Sequence, residues 1–465
     1  MSIIIPANSA AGGGVYDVAN SLMFNGPDSA NMTRSASGSS ATKSTFSFWV
    51  KRSKLADTQI IHNFYSATTT YNKLYFDGND QFIMKQQVSG STQIQIMPSM
   101  KFRDTSAWYH IVYIVDPTES TEANRVKVYV NGIQITSFGT STYPAEDAAV
   151  RVEYNQFIGR EYSGDTKFFN GYLAEFVFLD GVAASIGDLG EFDEDSGIWK
   201  PIDVSGLTFG SRGFYLDFED SSALGNDAVG SNNFTANNLA ATDQATDTCT
   251  NNFATMNIID AGGPSLTFSN GNTTIVSSDN TWRSGFNTIA PSKGKWYFEA
   301  KYVGSSTNNW IGVVDTEQVN STSNTGDFKI TDRSRFYGIS QTGQKGNNGS
   351  ESNWGSSYSQ NDIVGVAFDL DNHKIYFSKD GTFQNSGNPE SGATGTGSMY
   401  DLATGYFYMV GSSYYSSSAS ISYNFGSPYF AISSGNSDAD GHGNFEYAVP
   451  SGYFALCTKN LAEYG

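Results

Sequence analysis

The stretch GEFDEDSG sets Glu191, Asp193 and Asp195 at alternate positions. On a strand, alternate side chains share one face. Carboxylates gathered on one side of a sugar are the equipment of glycoside hydrolysis, one serving as acid and another as nucleophile. The flanks argue against that use. GDLG before and SGIWKP after read as loop, and aspartate at the last position draws its carboxylate back by a methylene. The expectation is therefore a solvated acidic loop.

Asn436, Asp438, Asp440 and Gly441 approximate the opening of a calcium loop. The twelfth position is Tyr447, and Glu446 falls one place early, so a polar turn with Asx side chains capping their own backbone is favoured. The four histidines, His62, His110, His373 and His442, are scattered. His110 reads as a face residue of a strand and His373 as part of a hairpin turn. Neither G-x-S-x-G nor H-E-x-x-H occurs, and no glycine loop would cradle a phosphate. Cys249 and Cys457 lack metal-ligand spacing, and whether they pair is left open. The residues describe no enzyme, and no cofactor.

Binding remains. GQKGNNGSESNWGSSYSQND sets Trp354 and Tyr358 among small polar residues, YSATTTY offers Tyr65 and Tyr71, and SSYYSSSAS offers Tyr414 and Tyr415. Rigid rings among Ser, Gly and Asn suit stacking on sugars or contact with a protein epitope, because they add area at little entropic cost. The competing reading for each ring is packing at the end of a core.

The elements that would hold these loops are strands. In WYHIVYIVD, Tyr109, Ile111, Tyr113 and Val115 share one face, while His110, Val112 and Ile114 share the other. VKVYVNG alternates Val126, Val128 and Val130 with polar residues, and Asn131-Gly132 supplies a tight turn. DIVGVAFDLDNHKIYFSKDG repeats the device with Val364, Val366, Phe368, Ile375 and Phe377. Many short strands with glycine-rich turns imply an all-β chain of two antiparallel sandwiches in series. The divisions expected are a docking arm over 1–20, a sandwich over 21–240, a linker or strap over 241–264, a second sandwich over 265–430 and an irregular end over 431–465.

A net charge of −19 argues against nucleic-acid phosphates or anionic lipid as the main partner. MSIIIPANSA lacks the basic start of a signal peptide, and no apolar run is long enough to cross a bilayer.

From about Ser21 to Leu239 the segments FSFWVKRS, AWYHIVYIVD, VKVYVNGIQI and FNGYLAEFVFLDG resemble the laminin-G-like, concanavalin-A-like jelly roll. From about Leu266 to Gly426, GKWYFEAKY, WIGVV, YGIS, NDIVGVAFDLDNHKIYFSKDG and SISYNFG resemble a SPRY domain. FGSRGFYLDFEDSSALGNDAVGSNNFTANNL, TDTCTNNFATMN and PSGYFALCTKNLAEYG resemble segments of virion proteins of tailed, especially marine, bacteriophages. Those resemblances imply a structural and adhesive virion component, made in the host cytoplasm. The first reading is a tail fibre or tail-associated receptor-binding protein meeting host surface glycans or protein. A capsid decoration or head-fibre protein is the alternative, and a polysaccharide depolymerase a third. They further imply virion partners for the arm, a homo-oligomer such as a trimer, and a Ca2+ site left open at a sandwich rim.

Overall fold

The computed structural model describes residues 4, 16–162, 166–259, 265–305, 308–319 and 329–465. The arm expected over 1–20 lies largely outside them. The chain is nearly all β, in antiparallel sheets, and it divides into two compact units, Gly12–Thr250 and Asn251–Gly465, with Ile4 joined to the second.

In the first unit Ser44–Arg52 is buried along its whole length. It sits mid-sheet in the order Ile133–Gln134, Val126–Val130, Tyr109–Val115, Ser44–Arg52, Gly171–Asp180, Ser21–Phe24, Gln244–Ala245. Phe214–Leu216 pairs with the second half of Gly171–Asp180. The facing sheet runs Phe138–Thr142, Ser91–Pro98, Phe82–Val88, Thr70–Phe76, Gln59–Ala67, Asn155–Ile158, Asn31–Arg34, Thr235–Asn237.

Period-two alternation builds the core between them. Phe46, Phe48, Ile111, Tyr113, Val126 and Val128 meet Phe64, Leu74, Phe76 and Met84, and each buried ring or aliphatic side chain contributes roughly 1.5–3 kcal/mol. Val112, Ile114, Val177 and Leu179 point the other way and are covered by Leu189 and Val204. With both faces buried, this sheet's strands read as almost continuous apolar runs. The facing sheet keeps one side out. Along Thr70–Phe76, Asn72, Leu74 and Phe76 go in while Tyr71, Lys73 and Tyr75 stay half-buried.

The Asn131-Gly132 turn has φ of 47° and 76°, the paired left-handed conformation of a tight hairpin. A Cβ on Gly132 would lie 2.2 Å from the Trp199 ring, so glycine is also required there by close approach.

The second unit pairs two further sheets. One runs Leu266–Ser269, Thr274–Ser277, Ser420–Asn424, Lys295–Tyr302, Ile363–Asp369, Lys374–Lys379, Thr382–Phe383. The other runs Arg283–Phe286, Tyr408–Tyr414, Asn309–Asp315, Phe336–Ser340, Gln344–Asn347, Ser350–Asn353. Val364, Val366, Phe368, Ile375 and Phe377 all enter the core with Trp296, Phe298 and Ile311. Ile4 forms a parallel bridge to Ile289 and packs on this core.

The Asn- and Thr-rich middle is more engaged than its composition suggests. Asp247 is buried in the first unit against Lys51 Nζ at 2.6 Å and Trp108 Nε1 at 3.1 Å. Phe253, Ala254 and Met256 are buried in the second. The polar residues escape notice in sequence because they satisfy one another rather than alternate. The irregular end likewise contains a short parallel strand, Phe454–Ala455, and a helix, Thr458–Tyr464.

Candidate functional site

The half-open side of the second sheet in the first unit carries a tyrosine face. Tyr65 and Tyr71 are register partners across the hairpin Gln59–Ala67/Thr70–Phe76. Tyr65 also pairs with Asn155 on its other side. Strand alternation then places Lys73 and Tyr75 on the same face as Tyr71. From the turn after Asn155–Ile158, Tyr162 folds back to stack on Tyr65, with centroids 3.9 Å apart and planes at 23°. Tyr162 also meets the edge of Phe157 at 5.1 Å and remains 43% exposed. The Lys73 ammonium lies over both Tyr71, at 4.7 Å, and Tyr75, at 5.0 Å.

Charge frames the rings. Glu161 bonds Lys73 at 3.1 Å and Lys167 at 2.5 Å. Burial pushes its carboxyl up, but the two lysines outweigh that and hold it below the usual carboxylate range. A carboxylate held ionised in this way is a poor proton donor. Burial, then Tyr162 and Glu161, push the Tyr65 phenol up, and burial with Glu161 does the same for Tyr71. Tyr75 is raised to about 12, chiefly by burial. The face therefore presents flat rings and protonated hydroxyls on a rigid sheet, a surface able to stack on the apolar side of a sugar and hydrogen-bond its edge.

Residues 25–184, which include this face, match the family described as Concanavalin A-like lectin/glucanases superfamily. Residues 295–400 match the SPRY domain. The chain thus carries a concanavalin A-like domain and a SPRY domain. Among solved structures it is similar to the SPRY domain of human HERC1, at 15% identity over 36% of this chain and 96% of that one, with a TM-score of 0.29. It is similar also to a Bacteroides ovatus protein proposed to bind carbohydrate, at 16% identity over 48% of this chain and 59% of that one, TM-score 0.35. A heptameric SAP-like pentraxin from Limulus polyphemus is 15% identical over 37% of this chain and 81% of that one, TM-score 0.28. A comparison with curated proteins finds no match.

The rings expected in the SPRY half are dispersed. Tyr358 is 3% exposed, stacks on Tyr302 at 5.9 Å and accepts a 2.5 Å bond from Gln384 Nε2. Tyr414 is wholly buried, and its hydroxyl meets that of Tyr423 at 2.8 Å. Both are core residues and offer no ring to a ligand. Alternation explains the pair in SSYYSSSAS: Tyr414 turns in, so Tyr415 turns out, 36% exposed and 5.1 Å from Trp282. Trp354 is half-buried, edge-on to Phe377 at 6.4 Å. Of the six rings chosen, only Tyr65 and Tyr71 share a surface. Tyr162 is not among the expected rings, although in sequence it precedes Ser-Gly-Asp, the same small polar company that marks the others.

The acidic run in the concanavalin A-like domain is a small hairpin, Glu191–Phe192 with Trp199–Lys200. Lys200 pairs with Glu191 at 3.3 Å and Asp193 at 3.2 Å, and Asp193 also caps the amides of Asp195 and Ser196. Hydrogen bonds from Ser196 and Lys200 lower Asp193 to about 2. What the hairpin delivers is Trp199, whose Nε1 donates to His110 Nδ1 at 2.8 Å. Since indole can only donate, His110 carries its proton on Nε2 and donates to Ser47 Oγ, also at 2.8 Å. The imidazole lies between Trp49 and Trp199, and burial lowers it to about 3. His62 is likewise buried and lowered to about 3.

The calcium-like stretch is a turn. Asp438 Oδ1 accepts the amides of Asp440 and His442, while Oδ2 accepts the Ala455 amide and Asn460 Nδ2. Those donors occupy the oxygens a cation would need. Among the described residues, no cluster of three acids, histidines or cysteines is placed to hold a metal.

Proposed function

We propose that the protein is an adhesive component of a phage particle, a tail fibre or tail-associated receptor-binding protein, that holds host surface glycans on the tyrosine face of its concanavalin A-like domain. The observation that carries the glycan reading is the Tyr65–Tyr162 stack beside Tyr71 on a rigid sheet. Rings held in place before binding lose little entropy when a ligand arrives. The superfamily match, which includes lectins, supports sugar as the ligand class. Binding rather than hydrolysis is supported by the pairing of Glu191 and Asp193 with Lys200 and of Glu161 with Lys73 and Lys167. The virion reading rests on the phage-like segments of the sequence, and with it come virion partners and a homo-oligomer such as a trimer.

A glycan array probed with the full chain and with Tyr162→Ala tests the binding. Hits that vanish in the variant support the proposal, and identical hits from both overturn the site. Immunogold labelling of particles tests the location: grains over the tail support it, whereas grains over the head transfer the protein to capsid decoration. Reducing sugar released from host polysaccharide would convert the reading to a depolymerase.

A further inference from the structure

A cleft of about 370 Å³ in the concanavalin A-like domain has none of the tyrosine-face residues in its lining. Arg34, Ser35, Ser37, Arg212 and Asn232 surround it, and Asn233 joins it to a neighbouring cleft of about 430 Å³. That neighbour is walled by Leu224, Phe234 and Leu239. Two guanidinium groups in one cleft stand out in a chain of net charge −19.

Arg34 is the more telling of the two. Its guanidinium lies against the rings of Phe234, at 5.3 Å, and Phe214, at 5.8 Å. Its Nη1 donates to the Asn232 carbonyl and its Nη2 to the Arg212 carbonyl, both at 3.0 Å. These acceptors are neutral, and among the described residues no carboxylate lies within ion-pair distance of it. Asp227 and Asp180 act on it only from farther away. Asp227 spends its oxygens on the amides of Tyr215 and Asn232. Burial lowers the Arg34 pKa to about 10, which leaves it charged at neutral pH.

Arg212 gives its Nη2 to Asp180 at 2.9 Å and its Nη1 to the Ser39 carbonyl, while its buried Nε has no partner. Of the two cations only Arg212 is bonded to a carboxylate, Asp180, while Asp227 acts on Arg34 from farther away, and serine hydroxyls and an asparagine fill the rest of the lining. A guanidinium partly stripped of water and offered only neutral acceptors retains a strong preference for an oxyanion, which it can grip with planar, paired donors.

We infer that this cleft is an anion subsite for acidic polysaccharide, taking a carboxylate or sulfate group at Arg34 and Arg212 while the sugar body lies along Leu224 and Phe234. The inference deepens the glycan reading and relies on it for the carrier of the charge. Its chemistry is separate from ring stacking, so the two can fail independently.

Isothermal titration of the full chain with oligogalacturonate, dextran sulfate and neutral dextran tests it. At least one acidic probe should bind, with affinity falling as salt rises. The carboxylate and sulfate arms distinguish the two oxyanions. Arg34→Gln should weaken that binding at least tenfold. Because Arg34 also braces the fold, Ser37→Asp provides a second reading: it adds a negative charge at the rim, touches no core residue and should weaken binding similarly. Tyr415→Ala, at an exposed ring of the second unit, should leave the acidic probe's binding within twofold. Absence of binding by both acidic probes, or binding unchanged in both charge variants, would overturn the subsite. Loss in Tyr162→Ala alone would assign the binding to the tyrosine face and also overturn it.

Discussion

Tyr215 donates a 2.7 Å hydrogen bond to Glu175 Oε2, and Tyr16 donates a second, at 2.9 Å, to the same oxygen. Glu175 stands where Gly171–Asp180 exchanges one neighbour, Ser21–Phe24, for another, Phe214–Leu216. The register slips there, between Ala174 and Val177, and Glu175 has φ of 49°. A bulge of this kind re-aims a side chain, and here it brings a carboxyl out of the ladder to the two phenols.

Burial pushes the Glu175 carboxyl up to about 7, although the hydrogen bonds from Tyr215 and Tyr16 pull it down. Its folded pKa thus stands above the unfolded value of about 4.3. Its contribution to stability is complete below that unfolded value and is lost as pH rises through 7, a loss on the order of 4 kcal/mol. Glu175→Gln should therefore be more stable than the parent at pH 8 and close to it at pH 4.5. Urea denaturation across that range is the check, and parallel curves for the two proteins would refute the assignment.

Removal of one ring of the stack should cost affinity rather than fold. Tyr162→Ala and Tyr65→Ala are each expected to weaken glycan binding about tenfold, roughly 1.4 kcal/mol. The double variant should lose less than the sum, because the two rings act as one surface. Tyr414→Phe should leave binding unchanged while lowering stability by about 1 kcal/mol, through its bond to Tyr423. Titration beside thermal melting separates the two effects.

Asp247 is the staple of the middle segment, paired with Lys51 where both side chains are 1% exposed. Asp247→Ala leaves a lysine charge buried among Trp108 and Tyr172, and about 3–5 kcal/mol should be lost. Denaturant unfolding followed by tryptophan fluorescence will show it. A loss below 1 kcal/mol would mean that the segment lies on the domain without holding it.

Cys249 and Cys457 are both free thiols. Burial and the Glu175 charge push the first well above its ordinary range, and burial raises the second to about 12. Thiolate is the reactive form, so the folded protein should react slowly with a thiol reagent, release two equivalents once denatured and melt identically with or without reductant. Fast labelling of the native chain would contradict this.

The strands were legible because their information is local. Alternation along YHIVYIVD correctly separated Ile111, Tyr113 and Val115 from Val112 and Ile114, and Asn131-Gly132 announced its own turn. Ligand-facing rings were less legible. Tyr358 and Tyr65 sit in similar polar company, yet one fills a core and the other lies on a surface. Which occurs depends on whether a distant partner such as Tyr302 is waiting.

From its own residues the chain determined a class of fold, the faces of its longest strands and the absence of a recognised catalytic motif, since each of these is written within a few neighbouring positions. Tertiary structure decided that Tyr162 joins Tyr65, that Lys200 ties the acids of its hairpin and that Arg34 meets Arg212. Those contacts span gaps in sequence that no local pattern encodes, and they form only when sheet pairing brings the segments within a few ångströms.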